Sequence, residues 1–287
     1  MSFCVGRQVD PFHPSVRTFL DFLLDMYNGD NNTCSYGYRT MNVIRSAVSA
    51  VALIDGRPAG QHPLVCRFLK AVFNDKPALP RYSTVWNPDT VLFYLRDLGQ
   101  NEGLSLIQLS RKLTMLLLLT SAQRGQTILV LDIRNLSFVG GCVSFRIGDL
   151  LKTSRPSFHL SEVTFSPFPL DTRLCVVETL VHYLQRTETL RGSVTRLLIT
   201  SRPPYKVASR DTIRRWTKDV MKAAGIDLTI FSPASTRASS CSKAALSVSL
   251  GLILRTGGWS SDSVFGRYYH KPLLAVGEFA SAVLDGP

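Results

Sequence analysis

Apolar residues recur at helical spacing along most of the chain, which predicts a mainly α-helical protein. In residues 14–28 they fall on one helical face, and a polar Asn-Gly-Asp stretch then ends the pattern. Further helices over residues 38–54 and 63–73 make the first part of the chain entirely helical in this prediction. Beyond it, helices are predicted over residues 87–98, 105–120, 171–187, 210–224, 236–253, 265–269 and 272–284.

The pattern changes in the middle of the chain, where strands are predicted. Residues 128–133 are rich in β-branched side chains, and residues 136–139 and 143–147 flank Gly140-Gly141, a hairpin signature. A further strand is expected at residues 162–165. The predicted fold class is therefore mainly α with a small antiparallel β-sheet.

A break in composition suggests two domains. The stretch from Asp75 to Tyr82 holds two prolines and little hydrophobic periodicity. We interpret residues 1–76 as a helical domain, 77–86 as a linker and 87–287 as a second domain with a C-terminal tail. No internal repeat or low-complexity segment interrupts this arrangement.

Composition narrows the class of protein. The chain has 287 residues, a formal charge of +12 and 45% hydrophobic residues, which excludes a wholly disordered protein. Uninterrupted apolar runs such as Met115–Leu119 are far below the ~20 residues that span a bilayer. With no signal-peptide pattern at the amino terminus, we expect a soluble intracellular protein without a membrane partner.

The charge and the cysteines suggest the kind of site. A sequence pI of about 9.7 meets the criterion for a basic, nucleic-acid-binding domain, although solubility alone is an alternative explanation. The six cysteines are dispersed and lack zinc-ligand spacing, so reduced thiols and no metal site are expected.

Five residues in four stretches could together handle a phosphodiester. They are Arg124 after an apolar helix, Lys152 after the hairpin, Arg237 at a helix start, and Trp259 followed by Tyr269. Cations neutralise the nonbridging oxygens, the planar guanidinium bonds two oxygens at once, and a phenol can supply a nucleophile. Taken singly, each residue has an ordinary structural interpretation, such as a helix-end charge or a core aromatic. Their combination and order favour a site.

With these motifs the sequence resembles the tyrosine recombinases, most closely those of DIRS-like retroelements, over nearly its whole length. The resemblance implies a helical core-binding domain, a catalytic domain from about residue 83, and a mechanism without metal or cofactor. It also implies attack of a tyrosine on DNA to form a 3′-phosphotyrosyl bond and a free 5′-hydroxyl. In this family pattern Arg124 and Arg237 are the catalytic arginines, Lys152 protonates the leaving oxygen, Trp259 bonds the phosphate, and Tyr269 is the nucleophile.

The sequence departs from the family pattern at three places. The histidine of the H-x-x-R motif is Ala234, and the acidic residue that often orients the first arginine is Thr127. The interval from Trp259 to Tyr269 is one residue longer than usual, so Tyr268 is an alternative nucleophile. Loss of general acid–base assistance typically costs ~10²–10⁴-fold in rate. His159 and His270 are the nearest histidines in sequence that could replace the histidine missing at Ala234. A surface or turn position is the simpler interpretation of both.

Basic residues elsewhere predict contacts to double-stranded DNA, with a solvated helix face as the alternative. The candidates are Arg39, Arg45, Arg67 and Lys70 in the first domain and Arg210, Arg214, Arg215 and Lys218 in the second. The resemblance further implies a homodimer or homotetramer on DNA and a nuclear location. The apolar tail after Tyr269 could pack against its own chain or a neighbouring protomer.

The predicted function is site-specific DNA recombination that serves integration of a mobile element. Ala234 supports a second hypothesis, a DNA-binding derivative whose activity is weakened or lost. A type IB topoisomerase shares the chemistry, but the apolar tail and the two-domain layout suit a multimeric recombinase better.

Overall fold

The chain folds into two compact units, Met1–Arg81 and Tyr82–Pro287. Their boundary lies within the segment interpreted as a linker. A computed structural model describes residues 2–29, 35–77 and 83–259, together with Gly266. The candidate nucleophiles Tyr269 and Tyr268, as well as His270 and the tail, lie outside the described residues.

The first unit is a small helical bundle. Its core is formed by apolar residues of three helices, among them Phe19, Leu23, Met41, Val65 and Leu69. The described elements are α1 (Ser2–Arg7), α2 (Val16–Asn28), α3 (Tyr38–Ser49), β1 (Leu53–Ile54), β2 (Arg57–Pro58) and α4 (Pro63–Asp75).

The all-helical prediction for this unit is wrong over residues 53–58. α3 ends at Ser49, and β1 and β2 pair as a short antiparallel hairpin. Its turn residues Asp55 and Gly56 have φ of +50° and +71°. An Asp-Gly pair favours this turn, because both positions need positive φ. The Asp-Gly signal in the sequence therefore identifies the hairpin that the helical periodicity concealed.

The second unit surrounds one long buried helix. α6 is buried along most of its length and packs against α8, α9 and the small sheet. The described helices are α5 (Pro88–Asp97), α6 (Leu106–Ser121), α7 (Gly125–Leu129), α8 (Val176–Thr187), α9 (Arg210–Ala223), α10 (Thr236–Ala244) and α11 (Leu250–Gly257). The strands are β3 (Leu136–Val139), β4 (Cys142–Arg146) and β5 (Glu162–Phe165).

The predicted hairpin is present at the predicted place. β3, β4 and β5 form an antiparallel sheet in that order, with Val139 opposite Cys142. Gly140 and Gly141 have φ of +57° and +77°, which a two-residue hairpin turn requires and glycine adopts without strain. The predicted fold class, mainly α with a small antiparallel sheet, is confirmed.

Two other element predictions are wrong. Residues 128–133 are not a strand, because the short helix α7 runs through Leu129 and a 3₁₀ turn starts at Ile133. Ile128 is buried from α7, whereas Leu131 is buried after the helix has ended, and the next residue, Asp132, forms an isolated antiparallel bridge with Arg196. A short apolar run that is buried throughout does not by itself distinguish a helix from a strand. The helix predicted over 236–253 divides in two, since Ser249 starts α11 by accepting a bond from the backbone N–H of Leu252.

Further properties concern only the described residues. No described helix is long and apolar enough to cross a membrane. Within the same residues, no three His, Cys, Asp or Glu side chains cluster as a metal site would require. The described cysteines are free thiols: Cys4, Cys66, Cys142, Cys175 and Cys241.

A buried carboxylate, Asp132, ties the start of the sheet to the segment before α9. Its oxygens accept two bonds from the Arg134 guanidinium, both of 3.0 Å, and one of 2.9 Å from the Thr195 hydroxyl. The Arg134 bonds lower the pKa of Asp132 from 3.8 to about 2, although burial of the carboxylate opposes the shift. The ionised form is therefore the one that the fold stabilises.

We expect this bond set to add acid sensitivity to the second unit. Because the folded pKa lies below the unfolded value, the stabilisation is present above pH ~4 and is lost as the pH falls through ~2. The gap in unfolding free energy between wild type and Asp132→Asn should shrink by about 2 kcal/mol from pH 5 to pH 2. Urea unfolding followed by tryptophan fluorescence measures it, because Trp86, Trp216 and Trp259 all lie in this unit. A gap that stays constant over this range would contradict the assignment.

Candidate active site

The end of α6 determines where Arg124 lies. Ala122 adopts a left-handed conformation with φ of +52° that terminates the helix, and Arg124 occupies the N-cap position of α7. Its half-buried guanidinium has no hydrogen bond or ion pair with any residue that the structure describes. Six other cations of this unit are each paired with an aspartate: Arg96, Arg111, Arg134, Arg173, Arg196 and Lys243. Arg124 is therefore available to an external anion.

Gln123 joins the Arg124 segment to the far end of the chain. Its buried amide nitrogen donates to the carbonyl of Thr256, 2.7 Å away. Its amide oxygen accepts a bond of 3.2 Å from the Thr127 hydroxyl. Thr127, which stands where an acidic residue often orients the arginine, thus holds Gln123. Sequence reasoning missed Gln123, because its main partner is a backbone carbonyl that no residue pattern reveals.

Arg237 and Trp259 form a buried cation–π pair. Arg237, near the start of α10, is 4% exposed, and its Nη2 donates to the carbonyl of Gly257 at 2.6 Å. Its Cζ lies 3.7 Å from the centroid of the Trp259 ring. The indole also packs with Ala122 and Cys241, so α6, α10 and the end of α11 meet around it.

Two glycines allow the indole to lie on the end of α11. A Cβ on Gly257 would lie 1.7 Å from a ring carbon of Trp259, a separation that no side chain could occupy. Gly258 ends the helix with φ of +69°, a conformation that glycine adopts readily. The Gly-Gly-Trp motif seen in the sequence is therefore a local requirement for the Arg237–Trp259 contact.

Lys152 lies in an exposed turn between β4 and β5. Its backbone N–H donates to the Gln126 side-chain oxygen at 3.1 Å, which joins the turn to α7. Three residues earlier, Asp149 accepts two bonds of 2.9 Å from Arg196. The ammonium group of Lys152 has no partner among the described residues, so the turn is held by its neighbours while the charge stays free.

His159 closes the same turn. Its Nε2 donates to the carbonyl of Ile147 at 2.9 Å, so this nitrogen carries a proton, and Nδ1 lies 2.8 Å from the Ser154 hydroxyl. Both ring nitrogens are thus engaged within the turn. This arrangement makes His159 a support for the Lys152 turn.

The segment before α10 places Ala234 at the surface. Ala234 is exposed in the 3₁₀ turn Pro233–Ser235, so a larger side chain can be accommodated there. The next residue, Ser235, accepts a bond of 2.8 Å from the indole N–H of Trp86. Sequence reasoning did not single out Trp86, although it secures the turn from which Arg237 follows.

A nearby thiol is a poor nucleophile. Cys241 follows Arg237 by one helical turn and is 1% exposed. Burial raises the pKa of Cys241 to about 11, so the thiol stays protonated at neutral pH.

The predicted DNA-contacting residues are mostly exposed. In the second unit all four lie on α9, away from its buried Ile213 and Trp216: Arg210, Arg214, Arg215 and Lys218. In the first unit Arg39, Arg67 and Lys70 are exposed. Arg45 differs, since it is half-buried and donates to the carbonyl of Gly60 at 3.1 Å, which gives it a role within its own unit. Contact with DNA remains a prediction for all eight.

Comparison with known proteins identifies the fold. The sequence matches no protein-family model and no curated protein. Among solved structures, one similar fold is that of the XerH site-specific recombinase bound to palindromic difH substrate, in a post-cleavage complex. It is 14% identical in sequence, the TM-score is 0.62, and the match covers 94% of this chain and 72% of that chain. The Tn1549 transposon integrase in complex with circular intermediate DNA is 15% identical, with a TM-score of 0.55 over 96% of this chain and 86% of that chain. The XerA recombinase is 13% identical, with a TM-score of 0.51 over 94% and 89%.

The chain has the tyrosine recombinase fold. Within it, a continuous set of contacts joins the segments of the four candidate residues that the structure describes. Lys152 connects through Gln126 to α7, and Arg124 adjoins Gln123. Gln123 in turn bonds the C-terminal end of α11, where Arg237 and Trp259 meet. Two cations without acidic partners thus belong to the same connected region as a buried arginine. An arrangement of this kind can neutralise charge on a phosphate.

The Gln123 bridge can be tested by a double-mutant cycle. Gln123→Leu leaves the Thr256 carbonyl and the Thr127 hydroxyl without their buried partner, which should cost about 1–3 kcal/mol of unfolding free energy. Thr127→Val removes only the bond of 3.2 Å between the Thr127 hydroxyl and the Gln123 amide oxygen, so it should cost less. Because both variants break the same bond, the double variant should be destabilised by less than the sum. Urea unfolding followed by tryptophan fluorescence measures the four proteins, and strict additivity would refute the shared network.

Proposed function

We propose that this protein is a DNA strand-transfer enzyme of the tyrosine recombinase class that breaks and rejoins double-stranded DNA through a 3′-phosphotyrosyl intermediate. The observation that carries the proposal is the connected set of Arg124, Lys152, Arg237 and Trp259 on this fold. The solved structures with the same fold include recombinases bound to their DNA substrates.

Each residue has a defined part in the proposed reaction. Arg124, Arg237 and Trp259 bond the nonbridging oxygens of one phosphate, as the resemblance implies. The ring face of Trp259 also holds the Arg237 guanidinium. The Tyr269 phenol oxygen attacks phosphorus and the bond to the 5′ oxygen breaks. Lys152 gives a proton to that 5′ oxygen, and the phenol proton passes to solvent. Rejoining is the reverse reaction with the 5′-hydroxyl of a partner strand.

Ala234 supports a second candidate function. Without the histidine expected at this position, proton transfer at the tyrosine lacks its usual assistance, worth ~10²–10⁴-fold in rate. A DNA-binding derivative with little or no catalysis is therefore the alternative. The exposed position of Ala234 allows the histidine to be restored without disturbing the core.

The finer parts of the proposal rest on the resemblance. It favours a recombinase of a DIRS-like mobile element that serves integration, acts in the nucleus and assembles as a homodimer or homotetramer on DNA. Exposed cations on α9 and in the first unit support duplex DNA as the partner, because phosphate contacts give affinity without sequence information.

Covalent trapping on nicked suicide duplexes tests the proposal. Wild type, Ala234→His, Tyr269→Phe and Tyr268→Phe are compared. Tyr94→Phe on α5 is the matched control, because it also removes one phenol hydroxyl but no candidate nucleophile. We expect an adduct that forms faster with Ala234→His, by up to ~10²–10⁴-fold, and that only Tyr269→Phe abolishes. Denaturing gels resolve the adduct, and DNA binding is measured in parallel by fluorescence anisotropy.

The outcomes separate the candidates. An adduct lost with Tyr268→Phe and kept with Tyr269→Phe would reassign the nucleophile. Absence of any adduct from wild type and Ala234→His on DNA that both bind would favour the DNA-binding derivative. Failure to bind DNA at all would overturn both functions.

A further inference from the structure

A second cationic site lies in the second unit, away from the candidate active site. A cavity of about 370 Å³ opens between the first half of α6, the first half of α9 and the loop that precedes α9. This volume is at the lower end of small-ligand sites. Arg111, Arg202 and Arg215 line it together with Ser201, over a floor that includes Ile107 and Trp216.

The lining is strongly positive. It contains three guanidinium groups and no carboxylate. Arg111 is paired from outside the lining with Asp219 at 2.5 Å, which orients its fork. Arg202 and Arg215 have no ion-pair partner among the residues that the structure describes. Among the residues that the structure describes, the cavity therefore keeps a positive excess, to which an anion would be attracted.

The loop that carries Arg202 is held in shape. Residues Ile199 and Val207 pair across its base. The Thr200 hydroxyl donates toward the carbonyl of Arg202 at 3.1 Å and accepts from the backbone N–H of Lys206 at 3.0 Å. Arg202 thus projects from an ordered loop, which reduces the entropy lost when an anion binds.

The polar groups of the lining suit a phosphate. Arg111 is held in place by its bond to Asp219, and Arg202 and Arg215 add two guanidinium groups that have no ion pair among the described residues. The combination of Arg111, Arg202, Arg215 and the Ser201 hydroxyl matches the several acceptor oxygens of a phosphate group.

The cavity is separate from the Arg124 network. Arg111 and Ser121 lie on the same helix, ten positions apart, which is about 15 Å along its axis. One phosphate cannot contact both places.

We propose that this cavity is a phosphate-binding site formed by Arg111, Arg202, Arg215 and Ser201. The phosphate belongs either to the backbone of bound DNA or to a free phosphorylated ligand. The first source rests on the proposed function, whereas the second is independent of it.

Two arms test the site and its source. The first measures binding of inorganic phosphate by calorimetry at constant ionic strength, in an Arg124→Gln background that weakens competing binding at the candidate active site. We expect saturable binding that Arg202→Gln/Arg215→Gln abolishes. Arg186→Gln, an exposed cation on α8, is the matched control and should retain it. The second arm measures the salt dependence of duplex DNA binding, in which losing one phosphate contact lowers the slope by about 1.

The arms give distinct results. Because Arg215 is already a predicted DNA contact, the single variants are measured beside the double variant. A smaller salt slope to which Arg202→Gln alone contributes about 1 supports the site and assigns it to the DNA backbone, with or without detectable binding of free phosphate. A decrease that Arg215→Gln alone reproduces in full, without phosphate binding, counts against the site. Loss of phosphate binding with an unchanged slope, or in a protein that does not bind DNA, supports the site with a free phosphorylated ligand. If the double variant equals Arg186→Gln in both arms, the proposal is overturned.

Discussion

The candidate site depends on one buried amide. Gln123 donates to the carbonyl of Thr256, a residue 133 positions further along the chain, and accepts from Thr127 in the next helix. Arg124 is its direct neighbour, and the Thr256 carbonyl precedes the two glycines on which Trp259 packs. Since a hydrogen bond between buried groups is costly to leave unmade, this bridge keeps the Arg124 segment in contact with the end of α11.

Paired and unpaired cations occur together in the second unit. Six of its described arginines and lysines pair with aspartates, as in the two bonds of 2.9 Å between Arg196 and Asp149. That pair supports the turn of Lys152 without contacting its ammonium group. Arg124 and Lys152 have no such partner among the described residues, but exposed cations such as Arg186 share this property. The contacts that connect their segments, rather than the lack of an ion pair, therefore distinguish the candidate site.

The sequence predicts those features that local rules govern. Gly140-Gly141 predicts the hairpin because a two-residue turn needs positive φ at both positions, which glycine adopts readily. The helical spacing of apolar residues predicts α6. The strand prediction for residues 128–133 is wrong because a short, fully buried apolar run fits both a helix and a strand, and here α7 occupies its first part. The supports of the site, such as the bond between Trp86 and Ser235, join residues far apart in sequence. A single sequence contains no signal for such pairs, so these supports could not be predicted from it.

The most direct test of the account is charge complementation at the scissile phosphate. Replacing a nonbridging oxygen by a methyl group gives a neutral methylphosphonate, which no longer needs neutralisation by arginine. Cleavage by Arg124→Ala is compared on phosphodiester and methylphosphonate duplexes, both in the Ala234→His background. The account predicts that the variant fails on the phosphodiester and regains cleavage on the methylphosphonate. An equal loss on both substrates would contradict the assignment of Arg124 to the phosphate.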